Sequence, residues 1–264
     1  MDLPPFPHSA TAPVVPWKGS TVSYTEPLPE PTRTVAAPVP APARPAHDVR
    51  HFWRVLLAVV APLPMLFMGV KYVLSPDDGG EPFERTLALF RANPGRLDLL
   101  EWLQVPFFAL LVPATFAVVL VSRRGAPRLT TAGALVAVGG LCAGFGILPG
   151  VPQLAHVTIT QGLDPVAMGR LQAALENDPL VLVGGLLFIL GVTVGLLLLG
   201  IALWRSGAAP AWAGAALALG GFTHPLMPGH VAAGIGLIVA AVGFAGASAA
   251  LLRLSDDQFD LPPV

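Results

Sequence analysis

The sequence predicts an all-α, polytopic membrane protein: six transmembrane helices arranged as three helical hairpins, with both termini in the cytoplasm. Two observations predict the class. First, the 264-residue chain is 54% hydrophobic and 12% charged, with a mean hydropathy of +0.68. A soluble domain carries roughly 25% charged residues, so a chain this poor in charge lacks the polar surface to cover a water-soluble globule. Second, six apolar stretches recur after residue 50, most of them reaching the roughly 20 residues that a helix needs to cross a bilayer. The net charge of −1 argues against a nucleic-acid partner, and the one cysteine, Cys142, excludes an intramolecular disulfide and any cysteine-rich metal site.

Residues 1–49 precede the first stretch and hold 12 of the 29 prolines. Proline removes a backbone donor and fixes φ, so neither helix nor sheet propagates through such a segment. The expected state is a disordered cytoplasmic tail with polyproline-II character, able to dock in a groove on a protein partner or simply to remain solvated. The spans then follow at about 52–73, 99–121, 130–148, 180–203, 209–227 and 230–252. The bundle as a whole covers 50–254, and its outer surface contacts membrane lipids. Two connections hold amphipathic stretches, near 82–92 and 165–176. In the first, Phe83, Leu87 and Phe90 are spaced i, i+4, i+7; in the second, Met168, Leu171 and Leu175 are spaced i, i+3, i+7. Both are too short and too charged to span, and are expected on the outer membrane surface or capping the bundle.

Orientation follows from the basic residues. Arg50, Arg54, Arg123, Arg124, Arg128, Arg205 and Arg253 fall on one side in short connections. On the other side, Lys71, Arg85, Arg91, Arg96 and Arg170 are diluted by acidic residues. Arginine-rich short loops belong in the cytoplasm. The hairpins also echo one another: Arg123-Arg124-Gly125-Ala126 and Arg205-Ser206-Gly207-Ala208 each lead into a small-residue span. Internal repeats of this kind are common in transporters. The abundant span glycines have a packing reading, since small residues let helix backbones approach closely in lipid. Cys142, inside the third span, is read as a small packing residue. Pro62 and Pro64 in the first span and Pro113 in the second are points where a helix could unwind or kink.

Ionisable groups near the hydrocarbon are the best functional leads in such a chain. On the outer side these are Glu101, His156, His224 and His230, with Asp98 and Lys71 close by. Each lies within a turn or two of a span end, so the four could converge in one extracytoplasmic cavity. Three histidines and a carboxylate suit acid–base chemistry near neutral pH, and as a set also match zinc ligation. The competing reading is interfacial packing, and for Glu101 a favourable place in the first helical turn. His-x5-His is not a metal-site spacing, and no span interior carries the histidines that haem would need, so no metal or cofactor is assigned. His51 through Arg54 read as interfacial anchors. The acidic tail 255–264 contains Asp256-Asp257-x-x-Asp260, which has the spacing of a magnesium–diphosphate motif but no second acidic motif; it is read as coincidence. The functional expectation is a structural, regulatory or accessory membrane component. The alternatives are an enzyme or proton-sensitive receptor with an outer-face site, and a small-solute transporter.

Overall fold

Proline, glycine and capping aspartates set most of the helix boundaries. The structure, a computed structural model, describes residues 49–145 and 150–259. The proline-rich tail before Val49, the end of the third expected span and the last residues of the acidic tail lie outside the described residues. Every regular element is helical: α1 (Arg50–Val60), α2 (Leu63–Leu74), α3 (Phe83–Ala92), α4 (Pro94–Ser122), α5 (Pro127–Phe145) and α6 (Val151–Gln161) come first. They are followed by α7 (Pro165–Glu176), α8 (Pro179–Leu190), a π-helical turn (Gly191–Gly195), α9 (Leu196–Ser206), α10 (Ala211–Thr223), α11 (His230–Arg253) and α12 (Asp256–Phe259).

The protein is an all-α, multi-pass membrane protein. Among the described residues, four segments are long and apolar enough to cross a bilayer: Arg50–Leu74, Pro94–Ser122, Pro179–Ser206 and His230–Arg253. Their 24 to 29 residues exceed the roughly 20 required. The first is interrupted by a turn at Ala61 and Pro62, where the ring of Pro64 removes a helix donor. Pro106 and Pro113, by contrast, sit inside a continuous α4. Asp164 and Asp178 accept the backbone N–H groups of Val166 and Ala167, and of Leu180 and Val181, and so cap α7 and α8 ahead of an N1 proline.

The main core gathers Met65, Leu111, Val118, Leu141, Leu196, Leu199, Leu217, Leu237 and Phe244 from α2, α4, α5, α9, α10 and α11. Close helix approach depends on glycine here: a Cβ on Gly140 of α5 would strike the Leu187 carbonyl and come within 2.6 Å of Gly191 Cα. Buried hydroxyls turn back on their own helices, as Thr115 does to the Leu111 carbonyl at 2.9 Å and Ser248 to that of Phe244 at 3.1 Å. Leu180, Leu182, Val183 and Leu186 of α8 face outward, which suits contact with lipid chains. Cys142 also faces outward, contrary to the packing role expected of it. Its neighbour Leu141 takes the core position, about 100° away around the helix.

The two ends of the bundle differ in chemistry. At one end Arg54 donates to the Leu252 carbonyl at 3.2 Å and to that of Leu254, and its guanidinium lies 3.0 Å from Asp256. Arg50 pairs with Asp257 at 3.4 Å, and Arg123 donates to the Phe259 carbonyl at 2.7 Å. So Arg54 clasps the C-terminal segment, and two aspartates of the Asp-Asp-x-x-Asp pattern are engaged in ion pairs, Asp256 with Arg54 and Asp257 with Arg50. Gly125 backs onto Ser206, so the α4–α5 and α9–α10 turns touch at this same basic end. At the opposite end α3, α6 and α7 form a cap over the start of α4. Phe83, Leu87, Phe90, Leu97, Leu100, Leu154 and Ala155 make its own small core, with Met168 and Leu175 packed against it. Leu171, the middle residue of the α7 pattern, faces out. The sequence reading contains no helix at α6, whose Thr158, Thr160 and Gln161 dilute its apolar signal.

Candidate functional site

Between the cap and the bundle lies a cavity of about 730 Å³. Its apolar wall comes from inside the bundle, where Met68, Phe107, Phe108 and Phe188 line it. Its polar groups come from the end of α2, the loop 75–82, α3, one face of α4, the start of α6, the side of α7 and the first residue of α11. Volume and lining both match the usual range for small-molecule sites, roughly 300–1,000 Å³ with a few polar groups against apolar walls.

Two polar clusters stand out. In the first, the Lys71 ammonium donates to Gln104 Oε1, and Gln153 Nε2 donates to the same oxygen at 2.8 Å. Lys71 and Gln104 are each 8% exposed. Glu101 and Gln104 lie three residues apart on adjoining positions of α4, and Glu101 is within electrostatic reach of Lys71. In the second cluster, His230 Nδ1 lies 3.0 Å from the Asp77 carbonyl oxygen and 3.5 Å from its carboxylate. The Ser75 hydroxyl donates to that carboxylate, and the His230 backbone N–H points at Asp78 Oδ1 at 3.2 Å. Burial alone would raise the Asp77 pKa. The hydrogen bonds from His230 and Ser75 and the His230 charge outweigh it, and the carboxyl sits below its ordinary value.

Glycine makes this second cluster possible. Gly229 has φ +81, and a Cβ there would lie 2.6 Å from Asp78 Oδ1; Gly79 has φ +80 and leaves room for His230 Nε2. Tyr72 stands edge-on to two rings, with centroid separations of 5.1 Å to His224 and 4.8 Å to His230.

The four residues singled out in the sequence therefore separate. His230 lines the cavity. His224 stands on the other side of the Tyr72 ring, and its Nδ1 is buried without a partner among the described residues. Glu101 lies on the Lys71 side, with one buried carboxylate oxygen unpaired. His156 belongs to α6 in the cap, where its Nδ1 is 3.7 Å from Asp98. No group of three or more His, Cys, Asp or Glu side chains able to hold a metal is found among the described residues.

Sequence reasoning passed over Gln104 and Gln153 and gave Asp77 no role. The three-residue step from Glu101 would have reached Gln104, since a polar amide on an apolar helix requires a partner. Nothing in the sequence announces Gln153, because α6 itself was not visible.

No protein-family description, no curated protein and no solved structure matches this chain.

Proposed function

We propose that the protein is an accessory or regulatory membrane component that holds a small amphiphilic ligand in the cavity beneath its outer cap. The single observation that carries this reading is the cavity's mixed lining, in which Met68, Phe107, Phe108 and Phe188 offer an apolar surface beside Lys71, Glu81, Gln104, Gln153 and Gln172. Below it the packing closes: Leu111, Ala114, Leu141, Leu196 and Leu237 are at most 1% exposed, which favours a holding site over a conduit. Cryo-electron microscopy of the purified chain in lipid nanodiscs tests this. Elongated density lying between Phe107, Phe188 and Gln153 is expected; a cavity holding only separate water peaks, with no ligand recovered by native mass spectrometry, would overturn it.

The site's orientation is part of the proposal. Six crossings, with α5 and the shorter α10 completing the set, place the arginine-bearing end and both termini in the cytoplasm. In a Cys142→Ser background, Gly80→Cys and Gly162→Cys should react with a membrane-impermeant maleimide added to intact cells, whereas Ala126→Cys and Ala208→Cys should not. Labelling of the second pair from outside would invert or break the topology.

A second reading has one observation in its favour. The Asp77–His230 contact ties the loop 75–82 at the cavity rim to the start of α11 and is an ion pair only while His230 is protonated, so loss of that proton as pH rises would loosen the rim and make ligand release pH-dependent. Glu101, His156 and His224 take no direct part in it; they act, if at all, through Lys71, Asp98 and Tyr72.

A further inference from the structure

The cavity's polar wall is selective in the kind of hydrogen bond it leaves unmade. Gln153 gives one amide N–H to Gln104, and Gln172 gives one to Glu176 Oε1 at 2.7 Å. Glu81 uses Oε1 to accept the Asp78 backbone N–H at 3.0 Å. The buried polar atoms of this wall that have no partner at all among the described residues are Gln153 Oε1, Gln172 Oε1 and Glu81 Oε2. All three are acceptors, and buried acceptors without donors are costly. The side chains that carry them all line this one cavity.

Charge points the same way. Asp77, Glu81, Glu84 and Glu176 line the cavity against the Lys71 ammonium and the His230 imidazole, and His230 is taken up by Asp77. Lys71 is already engaged by Gln104 and balanced by Glu101 and Asp77. Glu84 reaches from α3 to the α7 backbone, where its Oε1 would lie 3.3 Å from a Cβ on Gly169. The apolar lining is Met68, Phe107, Phe108 and Phe188. A ligand that satisfies both linings has an apolar body and a compact polar end that is cationic and rich in donors.

We propose that the cavity binds a primary-ammonium amphiphile: the ammonium donates to Glu81, Gln153 and Gln172, and the chain lies among the phenylalanines. This deepens the ligand-holding reading above and rests on it. Two sources share the chemistry, an ethanolamine phospholipid and a free long-chain amine. The cavity volume admits a single chain more readily than two.

Two matched pairs of probes test the proposal on the full chain in nanodiscs of phosphatidylcholine. The pairs are lysophosphatidylethanolamine with lysophosphatidylcholine, and octadecylamine with octadecyltrimethylammonium; within each pair charge and chain are kept while the N–H donors are removed. A saturable shift in melting temperature, with bound probe counted by native mass spectrometry, reads binding. The ammonium member should bind roughly tenfold or more tighter, as expected for the loss of charge-assisted hydrogen bonds. Which of the two ammonium probes binds tighter identifies the source. Glu81→Gln keeps the contact to Asp78 but turns the free acceptor into a donor, and it should erase the preference; Gln172→Leu should weaken it without affecting folding. Equal binding within each pair, or tighter binding of oleate than of either amine, would overturn the donor-rich assignment while leaving the cavity a ligand site. Absence of saturable binding by every probe, oleate included, would overturn the ligand-holding reading itself.

Discussion

Replacing Gln104 with leucine isolates the energetics of the buried polar cluster. Gln104 Oε1 accepts from both Lys71 and Gln153, so one substitution strands two donors at once. A hydrogen bond to a charged group contributes about 1.5–3 kcal/mol and a neutral one about 1 kcal/mol. Lys71 is 8% exposed and cannot recover its solvation without distorting α2. Glu101 and Asp77 still attract the ammonium after the substitution, which keeps the charge cost toward the lower end. The expected loss is therefore about 3 kcal/mol. Equilibrium unfolding in mixed micelles, followed by tryptophan fluorescence, measures it. The decisive arm is the double variant Lys71→Met, Gln104→Leu, which removes donor and acceptor together and fills the space with apolar groups of similar size. Replacing both partners of a buried pair is near neutral when the shape is kept. The double variant should then recover to within about 1 kcal/mol of the parent, the residue being the stranded Gln153 amide. A Gln104→Leu loss below about 0.5 kcal/mol, or a double variant that equals the sum of its singles, would refute the claim that this pair is desolvated and coupled.

Two further outcomes follow from the packing and the rim. Gly140→Ala should destabilise by about 1–3 kcal/mol, because its Cβ meets backbone atoms of Leu187 and Gly191 that cannot move aside, while Gly139→Ala, which faces open space, should be neutral or slightly stabilising in the same unfolding assay; equal effects at the two sites would contradict the helix contact. Asp77 has a folded pKa below its unfolded value of about 3.9, so its contribution is fully present above that value and is lost as pH falls through the folded pKa. Unfolding free energy measured from pH 6 down to pH 2 should therefore show an acid-side decline that Asp77→Asn removes, and an unchanged slope in the variant would exclude Asp77 as its source.

The extent to which this architecture could be read from sequence depended on whether the signal was local. The long apolar spans and the amphipathic α3 are encoded in consecutive residues, where burial and helical period leave a repeated mark: Phe83, Leu87 and Phe90 are all buried in the cap core. The break in the first span was legible as a possibility from Pro62 and Pro64, but the same residue type at Pro106 and Pro113 leaves α4 unbroken. Proline position alone does not decide the outcome, since neighbouring helices and side chains can satisfy the freed carbonyls. The π-helical turn at Gly191–Gly195 left no mark that a glycine-rich span would not also leave. It falls where Gly140 and Gly191 bring α5 against the α8–α9 segment, a contact set by two distant stretches of chain.

The site followed the same rule more severely. His224 and His230 lie six residues apart, and that nearness is why they could be paired in advance; the structure adds that Tyr72, more than 150 residues earlier, is what stands between them. His156 could be placed near a span end but not on a helix of its own, so its position in the cap beside Asp98 was not recoverable. Glu101 was chosen with Asp98 and Lys71 noted close by, but Gln104, which joins Lys71 to this face, was not seen with them. An amide in an apolar helix is unremarkable until a buried ammonium is found against it, 33 residues away in the chain. The acceptor-rich wall formed by Glu81, Gln153 and Gln172 is a still more distributed property. It depends on which of each side chain's groups the protein has already used, and no single segment encodes that. A reading by residue type alone favours histidines, because their chemistry is recognisable one at a time. In this cavity the discriminating chemistry lies in ordinary amides and a glutamate, made specific by the partners they have and by the ones they lack.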